Sequence, residues 1–230
     1  MDYNADGKTD LIAGDSEGQV WLFLNVGTKA EPVLAEGVRV EAAGKPIVGT
    51  KRTYKQVDGR YVVDEVIPGN HQLSDIYSKL HMADWNADGL PDLLIGHNGT
   101  MVWYRNVGEL TAPEFTDPES VALEDGSFPS RPSPFVIDWD ADGLVDLLVG
   151  SEAGPIHFFR NVGTAAEPVL AAGEPLALVG ADGDGHSRVR FDVADWNGDG
   201  ILDIIAGDFY VDRSGDDYRM GGNVWLYLGQ

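Results

Sequence analysis

Four near-copies of one nine-residue pattern recur along the chain: DYNADGKTD from Asp2, DWNADGLPD from Asp84, DWDADGLVD from Asp138 and DWNGDGILD from Asp195. Each runs into an apolar, strand-like stretch: LIAGD, LLIGH, LLVGS or IIAGD. A second stretch with alternation and aromatics follows in the same order every time: QVWLFLNVG, TMVWYRNVG, PIHFFRNVG and NVWLYLGQ. A repeat this regular constrains the fold more than any other feature, because a unit too small to bury its own apolar face must stack on its neighbours.

The resemblance between copies continues past the second stretch. NVGTKAEPVLAEG at Asn25 returns as NVGTAAEPVLAAG at Asn161, with NVGELTAPEF at Asn106 a looser version. Short strand signals, SKLHMA, SPFVI and RVRFDVA, precede the last three motifs. A unit therefore reads strand, acidic loop, strand, turn, strand, turn, outer strand, which is a four-stranded antiparallel blade, and the fold class is an all-β propeller. The first repeat lacks its first strand and the last stops after its third. Repeats are expected over about 1–44, 76–127, 128–180 and 181–230. The longer first interval is filled by an insertion over about 45–75, in which TYKQVDGRYVV reads as a hairpin turning at Asp58-Gly59. No stretch shows helical periodicity, and 29 glycines and 12 prolines punctuate the strands.

Charge narrows the partners. The chain has 230 residues, 43% of them hydrophobic, so it can bury a core; yet 38 acidic against 16 basic residues leave a net charge of −22. Such a field repels phosphate backbones and anionic lipid head groups, so neither nucleic acid nor a membrane is an expected partner. Without cysteine, disulfides, thiolate metal sites and cysteine nucleophiles are excluded. No run of 18 apolar residues occurs, and the N-terminus carries no leader pattern. The chain begins inside the first motif, as expected either of an excised piece or of a mature fragment whose targeting segment, if any, has been removed.

The spacing of the acids says what they do. In D-x-N-x-D-G-x-x-D, side chains at positions 1, 3 and 5 can converge on one centre, glycine at 6 permits the reversal, position 7 offers a carbonyl, and position 9 closes the shell with a carboxylate. Six or seven oxygens suit calcium, which tolerates a flexible shell better than magnesium does. The expected ligands are Asp2, Asn4, Asp6, Lys8 and Asp10 in the first loop and Asp84, Asn86, Asp88, Leu90 and Asp92 in the second. In the third they are Asp138, Asp140, Asp142, Leu144 and Asp146, and in the fourth Asp195, Asn197, Asp199, Ile201 and Asp203. Up to four Ca2+ ions follow. The alternative is that Asp, Asn and Gly simply make good turns; against it, a bare turn has no need of a ninth-position acid. An EF-hand needs glutamate at position 12, where this chain has Ala13, Ile95, Val149 and Ala206.

The acidic loop, the LLxG strand and the following strand ending in NVG together resemble the FG-GAP or VCBS-type repeat, the calcium-loop propeller blade also found in integrin α-chain heads. The resemblance covers nearly all of the chain except the insertion. It implies that each loop joins the first two strands of a blade, and that the protein is an extracellular or cell-surface scaffold for adhesion, sugar binding or, less often, polysaccharide cleavage.

Other residues are assigned by elimination. Tyr3, Trp85, Trp139 and Trp196, at position 2 of the loops, are expected to pack against the neighbouring blade, and Trp21, Trp103 and Trp225 to pack in cores. The five histidines lack metal-type spacing, and no nucleophile or phosphate-binding motif is present. Two departures from the repeat are candidate ligand-binding surfaces: the insertion, with Arg52, Tyr54, Arg60 and His71, and the segment from Asp208 to Gly222, with Tyr210, Arg213 and Tyr218. The expected function is a calcium-stabilised binding or scaffold module for a glycan or a protein. Alternatives are a lyase-like carbohydrate enzyme using the insertion and a half-propeller that closes as a homo-oligomer.

Overall fold

The computed structural model describes residues 1–69, 78–97, 99–152, 155–176, 187–212 and 219–229. Among these the chain is all β, with no helix, and four antiparallel sheets are arranged as the blades of a propeller. Accordingly no helix among them is long and apolar enough to cross a membrane.

The first blade has three strands, β1 (Leu11–Gly14), β2 (Val20–Phe23) and β3 (Val38–Arg39). Two hairpins follow: β4 (Glu41–Ala42) with β5 (Lys45–Pro46), and β6 (Lys51–Val57) with β7 (Arg60–Ile67). The second hairpin turns at Asp58-Gly59 with φ of 49° and 76°, the pair of left-handed residues that a tight two-residue turn between twisted strands requires. The second blade is β8 (Lys79–Ala83), β9 (Asp92–His97), β10 (Thr100–Tyr104) and β11 (Glu119–Ser120). The third is β12 (Ser133–Ile137), β13 (Asp146–Gly150), β14 (His157–Phe159) and β15 (Glu174–Pro175). In the fourth, β16 (Ser187–Ala194) pairs with β17 (Asp203–Asp212), whose far end pairs with β18 (Arg219–Gly221) and whose near end pairs with β19 (Val224–Tyr227).

Alternation along the second strand of each blade decides how the blades stack, because successive side chains leave a strand on opposite faces. In β9, Leu93 and Ile95 point back into a core shared with the first blade, where Val20, Leu22 and Phe115 also lie, and Leu94 points forward. The forward core joins Leu94, Trp85 and Trp103 to Leu147, Val149 and Phe159 of the third blade. A third core joins Leu148 and Ile156 to Val193 and Ile204 of the fourth. Full burial of each such Leu or Ile stabilises the stack by about 1.5–3 kcal/mol. The loop aromatics behave as their position demands: Tyr3, Trp85 and Trp139 pack into these three cores in turn. Trp196 has the same place in the fourth loop but is 63% exposed, since no described residue packs against the forward face of that blade.

Glycine ends the apolar run of every second strand for a steric reason. A Cβ on Gly14 would strike the carbonyl of Ser78, one on Gly96 that of Pro132, and one on Gly150 that of Val189 at 2.6 Å. Each of those carbonyls belongs to the next blade, so the backbones touch where the blades converge. The fourth glycine, Gly207, has nothing nearer than the Arg190 carbonyl at 3.9 Å.

Candidate metal centre

The second, third and fourth acidic loops leave the ends of β8, β12 and β16 and enter the next strand, the first leads directly into β1, and all four are held by one lattice of hydrogen bonds. The position 1 carboxylates, Asp2, Asp84, Asp138 and Asp195, accept from the backbone N–H of position 5 through Oδ1 at 3.0–3.1 Å. Their Oδ2 atoms accept from the glycine N–H at position 6, at 2.8–3.0 Å. Position 3, Asn4, Asn86, Asp140 or Asn197, accepts from the same position 5 N–H. Position 5, Asp6, Asp88, Asp142 or Asp199, accepts from the N–H of Lys8, Leu90, Leu144 or Ile201 at 2.8–3.0 Å. Backbone N–H groups thus fix the direction of the loop oxygens, while among the described residues three acids come within 4.8 Å of one another only in the third loop.

The ninth-position acids do more than the sequence reading allowed. Asp10, Asp92, Asp146 and Asp203 are 5% exposed or less. Their Oδ2 accepts from the N–H of Tyr3, Trp85, Trp139 or Trp196 at 2.8–3.3 Å, which closes the loop on itself. Their Oδ1 accepts from the N–H of Asn25, Asn106, Asn161 or Gly229 at 2.7–2.9 Å, which ties the loop to the end of the third strand of its blade. The turn itself therefore uses this acid, and its recurrence at the ninth position does not by itself require a metal, contrary to the expectation from spacing. Burial pushes the Asp92 carboxyl up to about 6 against the opposing pull of the Asn106 N–H, and burial likewise raises Asp146. A desolvated carboxylate is costly unless a positive charge faces it.

Three asparagines escaped a functional assignment although the NVG repeat displayed them. Asn25, Asn106 and Asn161 are 1–2% exposed. The Oδ1 of each accepts two N–H groups of the following turn, from Gly27 and Val33, Gly108 and Glu114, or Gly163 and Val169. Their side-chain amides donate to the carbonyls of Thr28, Pro91 and Val145, so the third strand, the loop and the next turn share one buried anchor.

The loops differ in what faces the charge. In the second and fourth, the position 3 amide donates to the position 5 carboxylate, from Asn86 to Asp88 at 2.8 Å and from Asn197 to Asp199 at 2.9 Å. In the first, the Lys8 ammonium sits 3.2 Å from Asp6. The third has aspartate at position 3, and there Asp138, Asp140 and Asp146 bring one oxygen each within 4.8 Å of one another, the spacing of ligands about a single cation. Arg160 pairs with Asp140 at the rim of this cluster. A set made only of hard oxygens fits calcium or another hard cation.

Position 4 carries a strain that the sequence reading passed over. Ala5, Ala87 and Ala141 have φ of 53°, 55° and 58°, and the fourth loop has Gly198 there at 77°. An L-residue held left-handed costs about 1–2 kcal/mol, part of which alanine offsets through a less flexible unfolded chain. Ala87→Gly is therefore expected to raise stability by about 0.5–1 kcal/mol, seen as a melting temperature higher by about 2 °C; a lower value would show that the alanine methyl makes contacts that outweigh the strain.

The described ligand-surface candidates lie on two separate elements. Arg52, Tyr54 and Arg60 lie on the β6–β7 hairpin, with Tyr54 58% exposed, and Tyr210 lies on β17 of the fourth blade. His71, Arg213 and Tyr218 fall outside the described residues.

A family model for the FG-GAP-like repeat matches residues 84–149 and again 138–206. Together the two matches span residues 84–206, more than half of the chain. No curated protein matches it.

Proposed function

Since the chain belongs to the FG-GAP-like repeat family, we propose that it is a calcium-clamped propeller scaffold that works outside the cell and presents a binding surface to a glycan or a protein. The observation that carries this reading is the convergence of Asp138, Asp140 and Asp146. Asp142 and the Leu144 carbonyl would complete that shell, and the homologous residues would do so in the other loops. The cation supplies charge neutralisation; the chain supplies a cup already shaped by its own N–H groups, so little ordering accompanies binding. Exposed loops of this kind fit the weak calcium affinities that suffice where the ion is millimolar, which supports an extracellular setting. The test is isothermal titration of metal-free protein with calcium, followed by a glycan panel probed with and without chelator. Heat of calcium binding and chelator-sensitive glycan capture support the reading; a chain that takes up no calcium at millimolar concentration overturns it.

A second reading is favoured by one observation, the open forward face of the fourth blade. Leu94 and Leu148 point forward into cores, whereas Ile205, at the same register and paired with Leu226, is only half-buried, and Trp196, Val224 and Leu226 of the same blade are 63%, 76% and 44% exposed. Leu11 of the first blade, the counterpart of the core residues Leu93, Leu147 and Ile204, is 46% exposed on the opposite side. These are the two halves of the interface that recurs three times inside the chain. We propose that a second copy seats its first blade on the fourth, head to tail. Sedimentation velocity checks this: concentration-dependent association that Trp196→Lys abolishes supports it, and a monomer at every concentration overturns it.

A further inference from the structure

We infer that the protein carries an anion-binding site at the end of the propeller opposite its acidic loops, built for a carboxylate-bearing ligand. The innermost strands β8, β12 and β16 deliver their C-terminal ends to the acidic loops; their N-terminal ends surround a cavity of about 260 Å3. All four blades contribute to its wall: Asp15 from the first, Lys79 from the second, Arg131 and Glu152 from the third, Arg188 and Arg190 from the fourth. In a chain with 38 acidic and only 16 basic residues, a wall of four cations and two acids inverts the surrounding charge.

Two acids against four cations offset only part of that inversion. Asp15 is turned to its own chain, where its carboxylate accepts from the N–H of Glu17 and Gln19 and from the Trp21 indole. Glu152 uses one oxygen, Oε1, to hold both Arg188, at 3.1 Å, and Arg131, at 3.4 Å. It acts as a spacer that keeps two guanidinium groups side by side. Arg190 is half-buried; its Nη1 donates to the Val189 carbonyl at 2.8 Å, and among the described residues no carboxylate lies within ion-pair distance of it. Ser78, also in the wall, is buried, and its hydroxyl has no hydrogen-bond partner among the described residues. A guanidinium fork with no carboxylate at ion-pair distance, set in a wall of cations, is a receptor for a carboxylate.

Backbone strain marks the same place. Of the seven non-glycine residues with positive φ among the described residues, three occupy position 4 of the acidic loops and two the turns of hairpins. The remaining two are Arg131, at 51°, and Arg188, at 57°. Left-handed backbone in residues of this size persists only where the surroundings hold it, and it clusters at ligand sites.

The cavity is smaller than the usual volume for a drug-sized ligand, so it fits a compact anion or the terminal unit of a longer one. An acidic saccharide meets both demands; this choice of ligand rests on the glycan reading above, whereas the anion site itself does not. The test uses the whole chain in calcium, with a galacturonate trisaccharide, a neutral galactose trisaccharide and inorganic sulfate as probes in calorimetry at low salt. Expected is binding of the acidic trisaccharide, displacement by sulfate, at least tenfold weakening in Arg190→Ala, and partial recovery in Arg190→Lys, with melting curves showing that the variants fold. Should Arg190→Ala fail to fold, displacement by sulfate and loss of affinity with added salt in the unaltered chain decide the matter. Neutral and acidic trisaccharides binding equally, untouched by Arg190→Ala, would leave the glycan reading standing and overturn the anion site. Sulfate binding that depends on Arg190, with neither saccharide bound, would keep the anion site and remove the saccharide; no binding of any anion overturns the proposal.

Discussion

Replacing Gly96 by alanine is expected to lower the melting temperature by on the order of 10 °C, and the same change at Gly207 by less than about 2 °C. The added methyl at Gly96 would collide with the backbone carbonyl of Pro132. A flexible side chain could move aside, but this carbonyl belongs to the backbone just before β12, and shifting it would pull Val136 and Leu147 out of register with Leu94 and Trp103 in the core between those blades. Overpacking against backbone costs about 3 kcal/mol or more, at the upper end for single substitutions. Gly207 is chemically the same residue in the same strand position, yet its nearest neighbour is the Arg190 carbonyl at 3.9 Å, an ordinary contact for a methyl. The comparison isolates the neighbouring blade as the cause, since strand propensity is the same at both sites. Equal losses would show that the glycines serve local strand geometry instead. If a second copy does cover the fourth blade, Gly207→Ala should also weaken the self-association seen in sedimentation while leaving the melting of the dilute monomer unchanged.

The repeat made the blades legible because two signals agreed at every copy: period-two alternation in the second and third strands, and turn residues at fixed offsets. The Asp58-Gly59 hairpin was readable for the same reason, as a two-residue turn has few solutions. From the loop spacing, the approach of Asp138, Asp140 and Asp146 to one another was legible as well. What escaped is what depends on backbone donors. Nothing in the letters says that Asp92 accepts the N–H groups of Trp85 and Asn106, or that Asn106 anchors a turn through its Oδ1, because such partners are defined only once the strands are in register. The left-handed alanines were equally silent; only the glycine at 198 in the fourth copy hinted at them. The cationic cavity was invisible for a different reason. Lys79, Arg131, Arg188 and Arg190 belong to three repeats and share no motif, and convergence of blades alone brings them together.

Calcium added to metal-stripped protein is expected to raise the melting temperature by about 5–10 °C for each loop filled at a hundredfold excess over its dissociation constant, since such occupancy stabilises the folded state by about 2.7 kcal/mol. The lattice of hydrogen bonds lets substitutions divide this effect into parts. Asp140→Asn places in the third loop the residue that the other three already have at position 3, so the metal-free melting temperature should hold while the calcium increment from that loop shrinks. Asp146→Asn differs, because its carboxylate serves the chain first. An amide there can keep one of the two N–H donors, Trp139 or Asn161, and must turn its NH2 towards the other. Leaving a buried donor unpaired costs about 1–3 kcal/mol, so this variant should melt lower even with no metal present, and calcium should not restore it. Arg160 supplies the opposite check: it pairs with Asp140 and competes with any cation, so Arg160→Gln should tighten calcium binding while Asp140→Asn weakens it. A melting temperature indifferent to calcium in the unaltered chain would mean that the N–H lattice alone closes the loops, with the acids selected as turn formers and Arg160 as their counter-charge.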